Sequence, residues 1–320
     1  MDAAVLRTLG KPPRCEPFPE PIPGEGEVIV HVRAAALKPV DKQMASGSHY
    51  ASFRELPVVC GLDGVGTLDD GTRVFFAAPR RPHGAMAQRT VVARSRCWPL
   101  PDDVDDVSAA AIVNPGVSAW LTLLERAKLA KGDHVLVLGA TGTTGRLAVQ
   151  IAKLSGAGRV VAAGRDESTL NRLHDLGADS TISLDQPSEK LVAAFTREAG
   201  EAGFNVIIDY LWGPPTEALL SAITRSDFAP ASGRIRFVQV GESAGPTISL
   251  SAAALRSSGL EILGGGSGSA ASLDTLLNAY HQVLSRVAGG ELRIQTELVP
   301  LTDVETAWER KSRARLVIIP

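Results

Sequence analysis

Residues 133–153 read DHVLVLGATGTTGRLAVQIAK, and the fold is decided there. Val135, Leu136, Val137 and Leu138 form an unbroken apolar run, the pattern of a strand buried on both faces, and the residues from Val149 to Lys153 close a stretch with helical spacing. Between strand and helix lies a turn of small residues: Gly139, Ala140, Thr141, Gly142, Thr143, Thr144 and Gly145. Bare backbone at the start of a helix exposes unpaired N–H groups at the positive end of its dipole, where a phosphate is attracted. The turn is therefore the expected seat of a dinucleotide pyrophosphate.

About twenty residues further on, where a ribose-reading group belongs, stands a second apolar strand, 159–163, ending in Gly164, Arg165 and Asp166. An NAD-selective fold places a carboxylate at this strand tip, whereas an NADP-selective one leaves it out and sets a guanidinium nearby. Here the tip is glycine, and Arg165 supplies a planar, permanently charged fork for a phosphate. The expected cofactor is NADPH. Asp166 either turns back to the ribose or caps the next helix.

A chain of 320 residues has room for two cores. Its net charge of −2 and pI near 6.3 leave no cation excess for a nucleic-acid partner. Arg80 and Arg81, near Arg73 and His83, read as a solvated loop. No apolar run approaches the roughly 20 residues of a membrane span, and the opening MDAAVLRTLGKPPRCEP lacks a signal-peptide core. Cys15, Cys60 and Cys97 are odd in number and far apart, so neither a disulfide framework nor a structural zinc site is expected. Cytoplasmic location follows as the default.

Working outward, residues 1–113 are β-rich and broken by turns, with strands predicted at 3–8, 27–36, 58–68, 72–77 and 87–93, the spacing of a compact barrel-like domain. A helix is predicted over 107–112, interrupted by Asn114-Pro115-Gly116 and resumed over 117–130. Strand–helix alternation then gives six strands in all, at 135–138, 159–163, 181–184, 204–210, 234–240 and 260–263, which specify a parallel sheet wound on both faces. After Gly264-Gly265-Gly266 and Ser267 the rhythm changes. A long helix (272–287), a strand (292–299), a helix with Thr302 and Glu305 at capping-box spacing, and a closing strand (316–319) follow. The predicted division is a first domain of 1–113 and 266–320, interrupted by a dinucleotide-binding domain of 114–265.

Further motifs carry a family resemblance: Lys38-Pro39-Val40-Asp41 followed by Ser46-Gly47-Ser48-His49-Tyr50, Gly61-Leu62-Asp63-Gly64-Val65-Gly66, GATGTTG, Leu176-Gly177-Ala178-Asp179, Ile208-Asp209, Val240-Gly241 and Leu263-Gly264-Gly265. With the β-rich start, nucleotide fold and C-terminal return, they resemble the medium-chain dehydrogenase/reductase superfamily and its zinc-independent quinone oxidoreductase branch. The resemblance implies a Rossmann-type sheet inserted into a GroES-like catalytic domain. The positions that hold catalytic zinc in the alcohol dehydrogenase branch correspond to Lys38, Leu62 and Asn114, a poor ligand set for zinc, so no metal is expected. Hydride from NADPH would then go to an acceptor already electrophilic, a quinone or an activated alkene or carbonyl.

The branch's loop reads Asn-Pro-Val-Asp, then carries an arginine and a tyrosine; here Lys38, Ala45 and His49 stand in those places, with Tyr50 next. Lys38, Asp41, Tyr50 and Asn114 are the candidate catalytic residues. Lys38, His49 and Tyr50 are proposed hydrogen-bond donors to a developing oxyanion, while for Lys38 an ion pair with Asp41 or Asp63 is the alternative. The resemblance puts Asn114 and Ser118 beside the nicotinamide, and Gly241, Gly264, Gly265 and Gly266 follow strands whose carboxyl ends face the cofactor. Strand 260–263 at the sheet edge is the expected dimer seam. A nucleotide-binding protein without turnover is the competing expectation, because the loop has changed while the cofactor motif is intact.

Overall fold

The computed structural model describes residues 1–224, 233–266 and 271–320; Ser267, named above, lies outside them. The chain forms two compact units, one of 1–114 with 284–320 and one of 115–283. The return to the first unit thus falls at residue 284 rather than 266, so most of the helix Leu273–Ala288 belongs to the second unit.

The second unit is built on a six-stranded parallel sheet. In chain order its strands are His134–Leu138, Arg159–Gly164, Ser180–Ser183, Val206–Asp209, Ile235–Gln239 and Leu260–Gly264. Across the sheet the order is third, second, first, fourth, fifth, sixth. The strand His134–Leu138 is central, and Val135 through Leu138 are fully buried. Each such side chain contributes about 1.5–3 kcal/mol by leaving water. Its neighbours pair on either side in register, Val161 with Leu136 and Ile207 with Leu136. The strand order reverses between the first and fourth strands, and there the carboxyl ends of such a parallel sheet leave room for a ligand.

In the first unit, seven strands form one mostly antiparallel sheet and three form another. The long strand Glu27–Ala36 pairs with Asp63–Thr67, Arg89–Ala93 and the chain-closing Arg315–Ile319. One core joins early and late residues: Leu6, Val30, Phe76 and Met86 pack with Val304, Trp308 and Ile318. The single strand expected over 58–68 is two, Val58–Val59 and Asp63–Thr67, because Gly61 takes a left-handed φ of 100° between them.

Several other expectations are corrected. Asn114-Pro115-Gly116 does not interrupt a helix: Asp106–Trp120 is continuous with Pro115 inside it, and a π-helical turn, Leu121–Arg126, follows. An interior proline costs about 3 kcal/mol, which burial of Ala109, Ala110, Ala111, Ile112, Val113, Ala119 and Trp120 outweighs. Residues 106–126 are also long and apolar enough to cross a bilayer, contrary to the sequence reading, although 61% of the apolar window is buried inside the protein. The capping box at Thr302 and Glu305 does not form. Thr302 Oγ1 donates to Asp303, Glu305 pairs with Arg14 Nε at 2.9 Å, and the helix begins at Val304. The strand placed at 292–299 is Thr296–Pro300.

Candidate functional site

The turn after the central strand is drawn tight by its own backbone. Gly139 sits at φ 84°, a conformation open to glycine, and the N–H groups of Gly139 and Ala140 both donate to Ala163 O at 2.9 Å. Gly142 is the N-cap of the helix Thr143–Leu154 and offers no side chain to its first turn. Among the described residues the helix therefore starts with no side-chain cap on its first-turn donors, which aim along its positive dipole end. A Cβ on Gly145 would lie 2.2 Å from Gly139 O, so only glycine lets the helix come this close to the turn. Thr141, Thr143 and Thr144 border the same opening, partly buried. The cradle fits a diphosphate.

At the tip of the neighbouring strand Gly164 is buried and Arg165 exposed. Asp166 takes the capping alternative: its Oδ1 accepts from Thr169 N–H at 2.7 Å and from Ser168 Oγ at 2.8 Å, at the start of the helix Glu167–Leu173. Arg146, in the first turn after Gly145, faces the Asp166 charge, and burial depresses its pKa. Sequence reasoning passed over Arg146, although its place next to the last glycine of the motif was a usable signal.

At the other strand ends, Gly241 N–H meets Asp209 O at 3.2 Å and Gly265 N–H meets Gln239 O at 2.7 Å, while Gly264 O accepts from Arg126 Nε. Gly266 is exposed. Ser118, half-buried on the long helix, accepts Thr122 Oγ1 on its carbonyl at 3.0 Å. The buried Tyr210 hydroxyl lies by the Thr122 side chain, and burial pushes its pKa up. Asp209 is likewise pushed up by burial, and its carboxylate accepts from Thr216 Oγ1 at 2.6 Å and Leu211 N–H at 2.7 Å.

The first unit gathers Lys38, Asp41 and Asn114 around a residue the sequence offered only as an ion-pair alternative, Asp63. Lys38 is extended before Pro39, as a residue preceding proline must be, and Pro39 opens the helix Pro39–Ser46. Asp41, in that helix's first turn, accepts the Lys38 N–H at 2.9 Å. Lys38 Nζ donates to Ala36 O and Asp63 Oδ1, each at 3.0 Å, and stands 3.6 Å from Asp41 Oδ2. Asp63 Oδ2 accepts from Asn114 Nδ2 at 2.9 Å. Lys38, Asp41 and Asp63 are all at most 3% exposed. Burial works against the charge on Lys38, and the carboxylates of Asp41 and Asp63 more than offset it, leaving its pKa raised. For Asp63 burial prevails over the Lys38 charge, and its pKa is raised.

The Lys38 ammonium thus faces oxygens of Ala36, Asp41 and Asp63 and is almost wholly withdrawn from solvent. Tyr50 is not part of this cluster. It follows the other end of the eight-residue helix, roughly 12 Å along its axis, is 82% exposed, and has its ring 4.2 Å from that of His49. His49 Nδ1 accepts from Ala51 N–H at 3.1 Å. Arg315 was missed from sequence; it is buried, donates to Leu37 O at 2.9 Å and adds its charge to the field at Lys38 and Asp63. Among the described residues, no three His, Cys, Asp or Glu side chains are grouped to hold a metal ion.

Residues 143–285 match the family described as zinc-binding dehydrogenase. The quinone oxidoreductase of Sus scrofa is 31% identical over 201 residues, covering 60% of this chain and 59% of that protein, so the chain spans under two thirds of this relative's length. The quinone oxidoreductase of Thermus thermophilus, whose structures include a complex with NADPH, superimposes over 100% of both chains with a TM-score of 0.79 and 27% identity. The Escherichia coli quinone oxidoreductase shares the fold, with a TM-score of 0.86 over 100% of both chains at 20% identity. With the sheet order and the glycine cradle, these likenesses show the fold of the medium-chain dehydrogenase/reductase superfamily and make the chain similar to its quinone oxidoreductase-like branch.

Proposed function

We propose that this chain is an NADPH-dependent reductase that passes a hydride to a quinone or an activated alkene or carbonyl without a metal. The observation that carries the reading is the uncapped start of the helix Thr143–Leu154 behind Gly142, a diphosphate seat framed by Gly139 and Gly145. NADPH, when bound, supplies the hydride. Arg165 is the proposed partner of the 2′-phosphate, and Ser118, Gly241, Gly264, Gly265 and Gly266 are the proposed lining toward the nicotinamide. The NADPH complex of the Thermus relative supports the cofactor, and the name of the Sus scrofa relative supports the acceptor class.

Lys38, Leu62 and Asn114 offer no thiolate, imidazole or carboxylate, so the acceptor must be electrophilic of itself. Lys38 is withdrawn into an ion pair, and the proton that completes reduction comes from solvent or from a donor nearer the surface, such as Tyr50.

A binding protein without turnover is the second reading, favoured by that withdrawal of Lys38. Purified protein mixed with NADPH and a panel of quinones and enones separates the two by the loss of NADPH absorbance. Consumption with at least one acceptor supports the reductase. Tight binding with no consumption supports the second reading, and absence of dinucleotide binding removes both.

A further inference from the structure

We propose that Lys38 and Asp63 are positioning residues that hold the Asn114 carboxamide with its nitrogen turned into the protein and its oxygen outward, as a hydrogen-bond acceptor for a bound ligand. That a ligand reaches Asn114 rests on the reductase reading; the orientation itself does not.

An asparagine side chain has two faces of opposite chemistry, an NH₂ that donates and an oxygen that accepts, and its surroundings decide which is shown. Asp63 decides it here. An ionised carboxylate has no proton to give, so only the NH₂ of Asn114 can meet Asp63 Oδ2 at 2.9 Å. The other carboxylate oxygen is taken by Lys38 Nζ at 3.0 Å, and Ala36 O and Asp41 hold that ammonium from behind. Asn114 is exposed while Lys38 and Asp63 are 3% and 1% exposed, so a pair wholly out of water ends in one surface group.

The charges around Asp63 show why the ammonium is needed. Asp41 stands against it with one buried oxygen that has no hydrogen-bond partner among the described residues, and the charges of Lys38 and Arg315 offset the carboxylates. Without Lys38, two carboxylates would share a low-dielectric site and one would take up a proton. A protonated Asp63 donates, and the Asn114 amide then turns over to accept. A buried ion pair adds little net stability over an apolar pair; here its consequence is orientation. The ligand group Asn114 receives is accordingly an N–H or O–H, such as a carboxamide N–H or a quinol hydroxyl.

The test follows the Asn114 NH₂ resonances by NMR in protein labelled with ¹⁵N-asparagine, without cofactor or substrate, the pair being assigned by its loss in Asn114→Ala. In the unaltered chain the pair stays shifted from its solvent-like position between about pH 7 and 8. In Lys38→Met it moves to a solvent-like position or titrates in that range, while the other asparagine signals stay put. In Lys38→Ala, added ethylamine restores the original shift. Should these variants not fold, Asp63→Asn is read instead, with the same displacement expected. An Asn114 pair unchanged in a folded variant overturns the proposal. Because no NADPH is present, failure of the reductase reading leaves this result untouched.

Discussion

A Cβ on Gly164 would lie 2.4 Å from Thr141 Cγ2 and 2.8 Å from its Oγ1, so the Thr141 side chain keeps the tip of the second strand bare. The position from which a carboxylate would read the ribose hydroxyls is filled from the side, and the next carboxylate, Asp166, is committed to a helix cap. Arg165→Ala is therefore expected to weaken NADPH binding about tenfold, roughly 1.4 kcal/mol, and to leave NADH binding within about twofold. Fluorescence titration with both dinucleotides checks this; equal losses would place the phosphate elsewhere.

Gly145→Ala puts a methyl group 2.2 Å from Gly139 O, and the helix has to back away from the turn. Overpacking of this kind costs about 1–3 kcal/mol. The expected outcome is a lower Tm in calorimetry together with a clear loss of dinucleotide affinity. Gly142→Ala is the control, since its Cβ would meet nothing closer than 3.4 Å.

Acid should destabilise the fold through two histidines. Burial lowers the pKa of His134, whose ring contacts Gly203 O at 2.9 Å, and burial with the Arg80 charge lowers that of His83. For a base depressed in the folded state, the unfolded chain binds the proton more readily. The stabilising contribution is complete above the unfolded value of about 6.5 and fades as pH falls from there toward the folded values. Tm measured from pH 8 downward should drop below about pH 6.5, and the drop should be shallower in His134→Gln. An unchanged slope would assign the effect to other groups.

The strand Leu260–Gly264 ends the six-stranded sheet, and the outer side of an edge strand offers its backbone to another chain. A symmetric dimer joined there is expected, so light scattering at micromolar concentration should return twice the 33.6 kDa of one chain. Ile262→Lys should shift the mass toward that of a single chain. A single-chain mass for the unaltered protein removes the dimer.

The sequence by itself determined the nucleotide fold. The apolar run at Val135–Leu138, the glycines after it and the helical spacing beyond are local signals. They read the same in isolation as in the folded chain, because period and steric allowance depend on near neighbours. Only the tertiary structure decided the helix through Pro115, whose cost is met by burial that no local window shows. The state of Lys38 was decided in the same way. Its sequence neighbours left a free donor and a buried ion as equal alternatives, and the choice was made by Asp63, whose carboxylate the fold brings against the ammonium from another strand. Charge pairing across such separations depends on which surfaces the fold presses together and dries, and that is a property of the packed core rather than of any segment.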